Sequence, residues 1–184
     1  MRLGILFALS ISACASGNTA APDTSAPLDA YVMPDSACGV LPCEAIYVSR
    51  TGSDVAAGDK GTPLKTIGAA ITKASASTPP RAVFVKAGVY PEAFAMKAGV
   101  GVYGGFDDAW TQTAGMFTVV DGPSSPAVTF DGIMIDTVLS TVTVKSANAT
   151  APGSSSYAIV ITGSKQVELR GVTEIGRASC RERV

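Results

Sequence analysis

The residues able to do chemistry in this chain are carboxylates and bases, because its 184 residues contain no histidine. Asp107, Asp108, Asp121, Asp131 and Asp136 lie in its second half, interspersed with Lys86, Lys97, Lys145, Lys165 and Arg170. Stacked carboxylates can hold calcium while a Lys or Arg takes a proton from a sugar. No spacing here sets a base beside the aspartates, and solvated turn charges account for all ten residues. The expectation is no catalytic residue, no metal and no cofactor in this chain. Without His, every His-based triad and most transition-metal sites are excluded.

Two further patterns are weaker still. Asp54 and Asp59 sit among glycines between Thr51 and Thr62, where oxygen ligands on a loop suit calcium. A third carboxylate is missing, and the same residues make turns. Gly99, Gly101 and Gly104 spell a dinucleotide-binding pattern, but a turn, GGFDDAW, stands where that fingerprint needs a helix. Tight corners explain these glycines better.

The elements that would position any site are mostly strands. Val83 and Val85, Val100 and Val102, Val142 and Val144, Ile159 and Ile161, and Val167 and Leu169 are aliphatic pairs one residue apart, each reading as a short strand. Thr118 to Val120 adds another. The steps from Val83 through Val102, Val119 and Val142 to Ile161 are 19, 17, 23 and 19 residues, with Gly, Asp, Pro and Ser between them. Strands recurring at about 20 residues without intervening helices predict a parallel β-solenoid. An antiparallel sandwich is the alternative, disfavoured by the scarcity of hairpin turn signals. One helix is predicted: Ile67, Ala70, Ile71 and Ala74 share a face, Thr62 or Thr66 caps its start, and Pro79-Pro80 ends it. Its apolar face is narrow, so it must lie on the strands.

The strings YVSRTGSD, GDKGTPLKTIGAAI, VFVKAGVYPE and VGVYGGFD, within residues 46 to 130, together resemble the N-terminal module of unknown function that opens many right-handed parallel β-helices of the pectin-lyase-like type. The resemblance implies an all-β, right-handed parallel β-helix of which this chain holds the N-terminal coils, with the helix as N-terminal cap. It also implies an extracytoplasmic setting. That superfold carries lyases, hydrolases, adhesins and passive scaffolds, so no activity follows from it.

The ends of the chain read separately. MRLGILFALSISAC, residues 1–14, has one Arg before an apolar run too short to span a bilayer, the form of a secretory signal. Ile11-Ser12-Ala13-Cys14 resembles a bacterial lipobox, implying acylation of Cys14 and, with Ala15 following it, an outer-membrane address. Residues 15–44 are expected to be a flexible tether of Ala, Ser, Thr, Pro and Asp. It ends in Cys38 and Cys43, which in an exported protein predict a disulfide worth about 2 kcal/mol. The folded domain is expected over 45–173. Residues 174–184, EIGRASCRERV, break the pattern with three Arg and a lone Cys, and resemble the translation of a sequencing adapter. They are therefore read as a non-native tail.

Between Ala15 and Thr173 there are 10 Lys and Arg against 13 Asp and Glu, too little positive charge to recruit nucleic acid. The expected partners are the membrane, through the lipid, and polysaccharide or another envelope component. The expected function is an envelope-anchored binding or structural module. The second reading is the N-terminal fragment of a polysaccharide lyase or glycoside hydrolase whose catalytic coils lie elsewhere.

Overall fold

The computed structural model describes residues 41–42, 44–150 and 154–176. Cys14, Cys38 and Cys43, and with them the lipidation and disulfide expectations, lie outside the described residues, as do the tether up to residue 40 and the tail from residue 177.

The described chain is mostly strand. In order come β1 (Ala45–Val48), α1 (Ile67–Ser75), β2 (Ala82–Lys86), β3 (Gly88–Tyr90), β4 (Phe94–Ala95), β5 (Val102–Phe106), β6 (Thr118–Asp121) and β7 (Val128–Asp131). They are followed by β8 (Thr137–Ser140), β9 (Val142–Lys145), β10 (Ile159–Thr162), β11 (Val167–Arg170) and β12 (Thr173–Ile175). These strands form three sheets, ordered β1-β2-β5-β8-β11, β10-β7-β4 and β12-β9-β6-β3. Every strand pair in them is parallel. The antiparallel sandwich is thereby excluded, and the arrangement is that of an all-β, parallel, solenoid-like fold.

The register explains the packing. In the five-stranded sheet Ile46 lies beside Val83, Val83 beside Val102, Val102 beside Leu139, and Leu139 beside Leu169. The first four are at most 2% exposed, and Val128 and Phe130 of β7 join the same core from a second sheet. Because side chains alternate along a strand, this column fills the interior while Tyr47, Phe84 and Tyr103 face outwards. Each fully buried Val or Leu contributes about 1.5–3 kcal/mol.

The coil spacing differs from the expected one. Val83 and Val102 do stack, but Val119 pairs with Val89 and Thr143, Val142 with Thr118, and Ile161 with Phe130, all in the other two sheets. Successive partners in the five-stranded sheet are 37, 19, 37 and 30 residues apart. The expected single ladder was three interleaved ones, because some corners consume one residue. Ala87 alone separates β2 from β3, and Thr141 alone separates β8 from β9. Val100 is fully buried but precedes β5.

The helix matches its predicted face: Ile67, Ala70, Ile71 and Ala74 are its buried residues. Thr66, not Thr62, is the N-cap, its Oγ1 accepting from the Ala69 amide at 3.3 Å. The helix stops at Ser75, ahead of the prolines, and its Ala74 carbonyl is taken by the amides of Ser77 and Arg81. It packs on β1, β2 and β4, of which β1 and β4 are the edge strands of their sheets.

Thr141 turns its corner at φ 57°, a left-handed conformation that costs a β-branched residue roughly 1–2 kcal/mol. At the same corner one coil on, Gly171 also has φ 57°. Thr141→Asn is therefore expected to raise stability by about 0.5–1 kcal/mol in urea denaturation, since Asn tolerates this conformation. A loss of stability would mean that the contacts of the Thr141 hydroxyl with Gln112 and Ser140 outweigh the strain.

Candidate functional site

The dispersed charges do not assemble. Asp107 accepts from the amides of Ala109 and Thr111, both at 2.9 Å, and from the Thr113 hydroxyl at 3.3 Å. The Thr111 amide, joined by the Ala109 amide and the Thr113 hydroxyl, holds its carboxyl below the usual range against the opposing effect of burial. Asp108 pairs with Lys86 at 3.1 Å. Asp121 stands beside Lys145 on the neighbouring strand, and Arg170 forms a two-pronged pair with Glu168. Asp131, Asp136, Lys97 and Lys165 are exposed. Among the described residues no three His, Cys, Asp or Glu side chains come close enough to hold a metal ion.

The glycine-rich loop is used structurally. Asp59 Oδ1 accepts from the amides of Gly61 and Thr62 at 3.0 and 2.6 Å, closing a turn. Asp54 Oδ1 accepts from the amides of Lys65 and Thr66 at 2.9 and 2.8 Å, and its Oδ2 from the Thr66 hydroxyl at 3.0 Å. Of the Gly99, Gly101 and Gly104 pattern, Gly104 lies inside β5, where a Cβ would strike the Thr141 carbonyl of the next coil. No helix follows it, so the dinucleotide reading has no structural support.

A carboxylate that sequence reasoning passed over closes the helix end of the core. Glu92, in the turn between β3 and β4, accepts from the amides of Ile67 and Gly68 at 2.8 and 3.0 Å. These are first-turn donors that no intrahelical carbonyl can reach. Burial raises the Glu92 carboxyl above its ordinary value, and the two amides together do not cancel that effect. Nothing in the local sequence signals the role, since Glu92 lies 25 residues beyond Ile67.

A further feature is an aromatic cluster on the outer face of the five-stranded sheet. Tyr47, Phe84 and Tyr103 are register neighbours on β1, β2 and β5. Tyr47 meets Phe84 edge-on at 5.7 Å, and Phe84 meets Tyr103 edge-on at 5.9 Å. A register shift between Phe84 and Lys86 brings Phe106 round to stack on Phe84 at 4.6 Å. Trp110, on the Asp107 turn at φ 62°, folds back to 4.7 Å from Tyr47. Its indole N–H donates to the Lys60 carbonyl at 3.2 Å. Lys86 Nζ lies 4.7 Å from the Trp110 ring centre, within cation–π range.

Tyr47, Phe84 and Phe106 are buried beneath this cluster, whereas Tyr103 and Trp110 are half-buried and form its accessible layer. The arrangement leaves two half-buried aromatic side chains on the outer face of the sheet, beside a lysine that is paired with Asp108. The sequence did hold a signal for it. Three of the five aromatics occupy the outward position next to an inward valine or isoleucine: Tyr47 after Ile46, Phe84 after Val83, Tyr103 after Val102.

Comparisons with protein-family models, with curated proteins and with solved structures each find no match to this chain.

Glu92→Ala should lower stability by about 0.5–2 kcal/mol at neutral pH in urea denaturation, the usual effect of removing a helix-start acceptor. The pH profile should change as well. A carboxyl raised in the fold contributes most when protonated, so in the wild type its contribution declines as pH rises from its ordinary 4.5 towards the raised value. Asp54 acts with opposite sign. Its carboxyl is lowered because donors from Thr66 and Lys65 outweigh burial, and its contribution is lost as pH falls below 3.8. The variant should lose only the upper of these two slopes. Unchanged stability and an unchanged profile would remove Glu92 from this role.

Proposed function

We propose that the chain is a lipid-anchored envelope protein. Its stacked parallel strands form the N-terminal coils of a right-handed parallel β-helix, and the outer face around Tyr103 and Trp110 binds polysaccharide. One observation carries the binding proposal: aromatic side chains at three successive register positions, widened by Phe106 and Trp110, on the outside of a sheet whose inside is already filled. A core needs its aromatics within. An outer layer with a half-buried indole and a half-buried tyrosine offers aromatic faces on which the apolar C–H faces of sugar rings can pack.

The three parallel sheets, and a helix packed on two of their edge strands, support the β-helix reading. The signal-like residues 1–14, with Cys14 as acylation site, support the anchor. In this reading the tether, with its Cys38–Cys43 disulfide, holds the domain off the outer membrane. The dispersal of the Asp, Lys and Arg residues supports a binding module rather than an enzyme active site among the described coils.

Trp110 is the sole tryptophan, so intrinsic fluorescence reports on this face directly. Titration with soluble envelope polysaccharides is expected to shift or quench the emission saturably. Tyr103→Ala should weaken binding roughly tenfold or more, as loss of a central aromatic contact does. Emission unmoved by every polysaccharide tried, or affinity unaffected by Tyr103→Ala, would contradict the proposal.

A further inference from the structure

β5 and the residue before it contain Gly101, Gly104 and Gly105, and the fold accounts for only two of these glycines. Gly105 has φ 79°, in the left-handed region, at the register shift that brings Phe106 round to Phe84. Gly104 lies so close to the next coil that a Cβ there would strike the Thr141 carbonyl oxygen. Gly101 has neither reason to be glycine. It is not among the residues at positive φ, and its carbonyl accepts from the Val83 amide at 2.8 Å, beside the regular pairing of Val83 with Val102. Its neighbours Val100 and Val102 are fully buried, so position 101 points to the outer face. Glycine in an extended segment costs backbone entropy and packs nothing, and the ladder itself does not require it here.

What occupies the space above Gly101 is a side chain. A Cβ at this position would lie 2.7 Å from Tyr103 Cε2, 3.0 Å from its Oη and 3.1 Å from its Cζ, and these are the three nearest atoms. Positions two apart on a strand are separated by about 6.6 Å, roughly the reach of a tyrosine side chain. The Tyr103 ring therefore lies back along the strand instead of standing off the sheet. In that position it meets Phe84 edge-on, with ring centres 5.9 Å apart and planes at 89°, and stays half-buried.

We propose that Gly101 is a positioning residue of the outer face. The missing side chain is the recess in which the Tyr103 ring lies, and it sets the height and orientation of that ring in the accessible aromatic layer. A side chain at 101 lifts the ring off the strand and away from Phe84. The consequence for binding rests on the polysaccharide reading; the placement of the ring does not.

Nuclear Overhauser spectra of the full chain test the placement without a variant or a ligand. Cross-peaks are expected from the Tyr103 ring protons to the Gly101 Hα protons and to the Phe84 ring. In Gly101→Ala the cross-peaks between Tyr103 and Phe84 should weaken several-fold. Urea denaturation gives a second readout: Gly101→Ala should shift the midpoint less favourably in the wild type than in a Tyr103→Ala background, where no ring has to move. For binding, chitohexaose is a soluble neutral probe read by Trp110 emission. Gly101→Ala should weaken it roughly tenfold, as Tyr103→Ala does, and the double variant should bind no more weakly than Tyr103→Ala alone. Missing Tyr103–Gly101 cross-peaks, Tyr103–Phe84 cross-peaks unchanged in Gly101→Ala, an equal midpoint shift in both backgrounds, or wild-type affinity in Gly101→Ala would each overturn the proposal. Emission unmoved by chitohexaose counts against the polysaccharide reading instead, and the cross-peaks and midpoints still decide the role of Gly101.

Discussion

The structure depends on one constraint, that successive strands lie parallel and in step so that each inward side chain lands on the one before it. A slip of β5 by one residue against β2 would turn Val102 outwards and drive Tyr103 into the interior. The hydroxyls inside the core enforce the same alignment between coils. Thr118 Oγ1 accepts from the Gly105 amide at 2.9 Å and reaches back to the carbonyls of Val85 and Lys86. Thr137 Oγ1 accepts from the Gly99 amide at 3.0 Å. Among the described residues no buried side-chain polar atom lacks a partner, so these hydroxyls hold coils together without the cost of an unmet hydrogen bond.

The β1 end of the stack is closed by the helix. At the β1 end α1 lays Ile67, Ala70, Ile71 and Ala74 onto the core, held at its start by Asp54 from one side and Glu92 from the other. In the last described coil the inward columns reach Leu169 and Ile161. The alternation that fills the core also builds the outer aromatic layer, since every inward aliphatic on β1, β2 and β5 has an outward neighbour. Packing and the proposed binding surface are thus two faces of one periodicity.

Much of this was legible in the sequence, because a period of two and a period of 3.6 leave separate traces. The helix face was read residue by residue, β2, β9, β10 and β11 showed as alternating aliphatics, and β6 showed as a strand without alternation. What escaped has physical causes. β4 is only two residues long, β7 has Phe130 in place of a second aliphatic, and β8 pairs a buried threonine, Thr137, with Leu139. Corners of one residue at Ala87 and Thr141 left no turn signature, so three interleaved ladders looked like one. Glu92 and Trp110 were hidden for another reason: each acts across tens of residues, on Ile67 and on Lys60, through contacts that no local pattern encodes.

The most direct test of parallel, in-step stacking is solution NMR of the folded domain, using couplings transmitted through backbone hydrogen bonds. The account predicts a coupling from the Val83 amide to the Gly101 carbonyl, another from the Val128 amide to the Ala158 carbonyl, and no close Hα–Hα contact between Val83 and Val102. Strong cross-strand Hα–Hα contacts between β2 and β5, the mark of antiparallel neighbours, would contradict it.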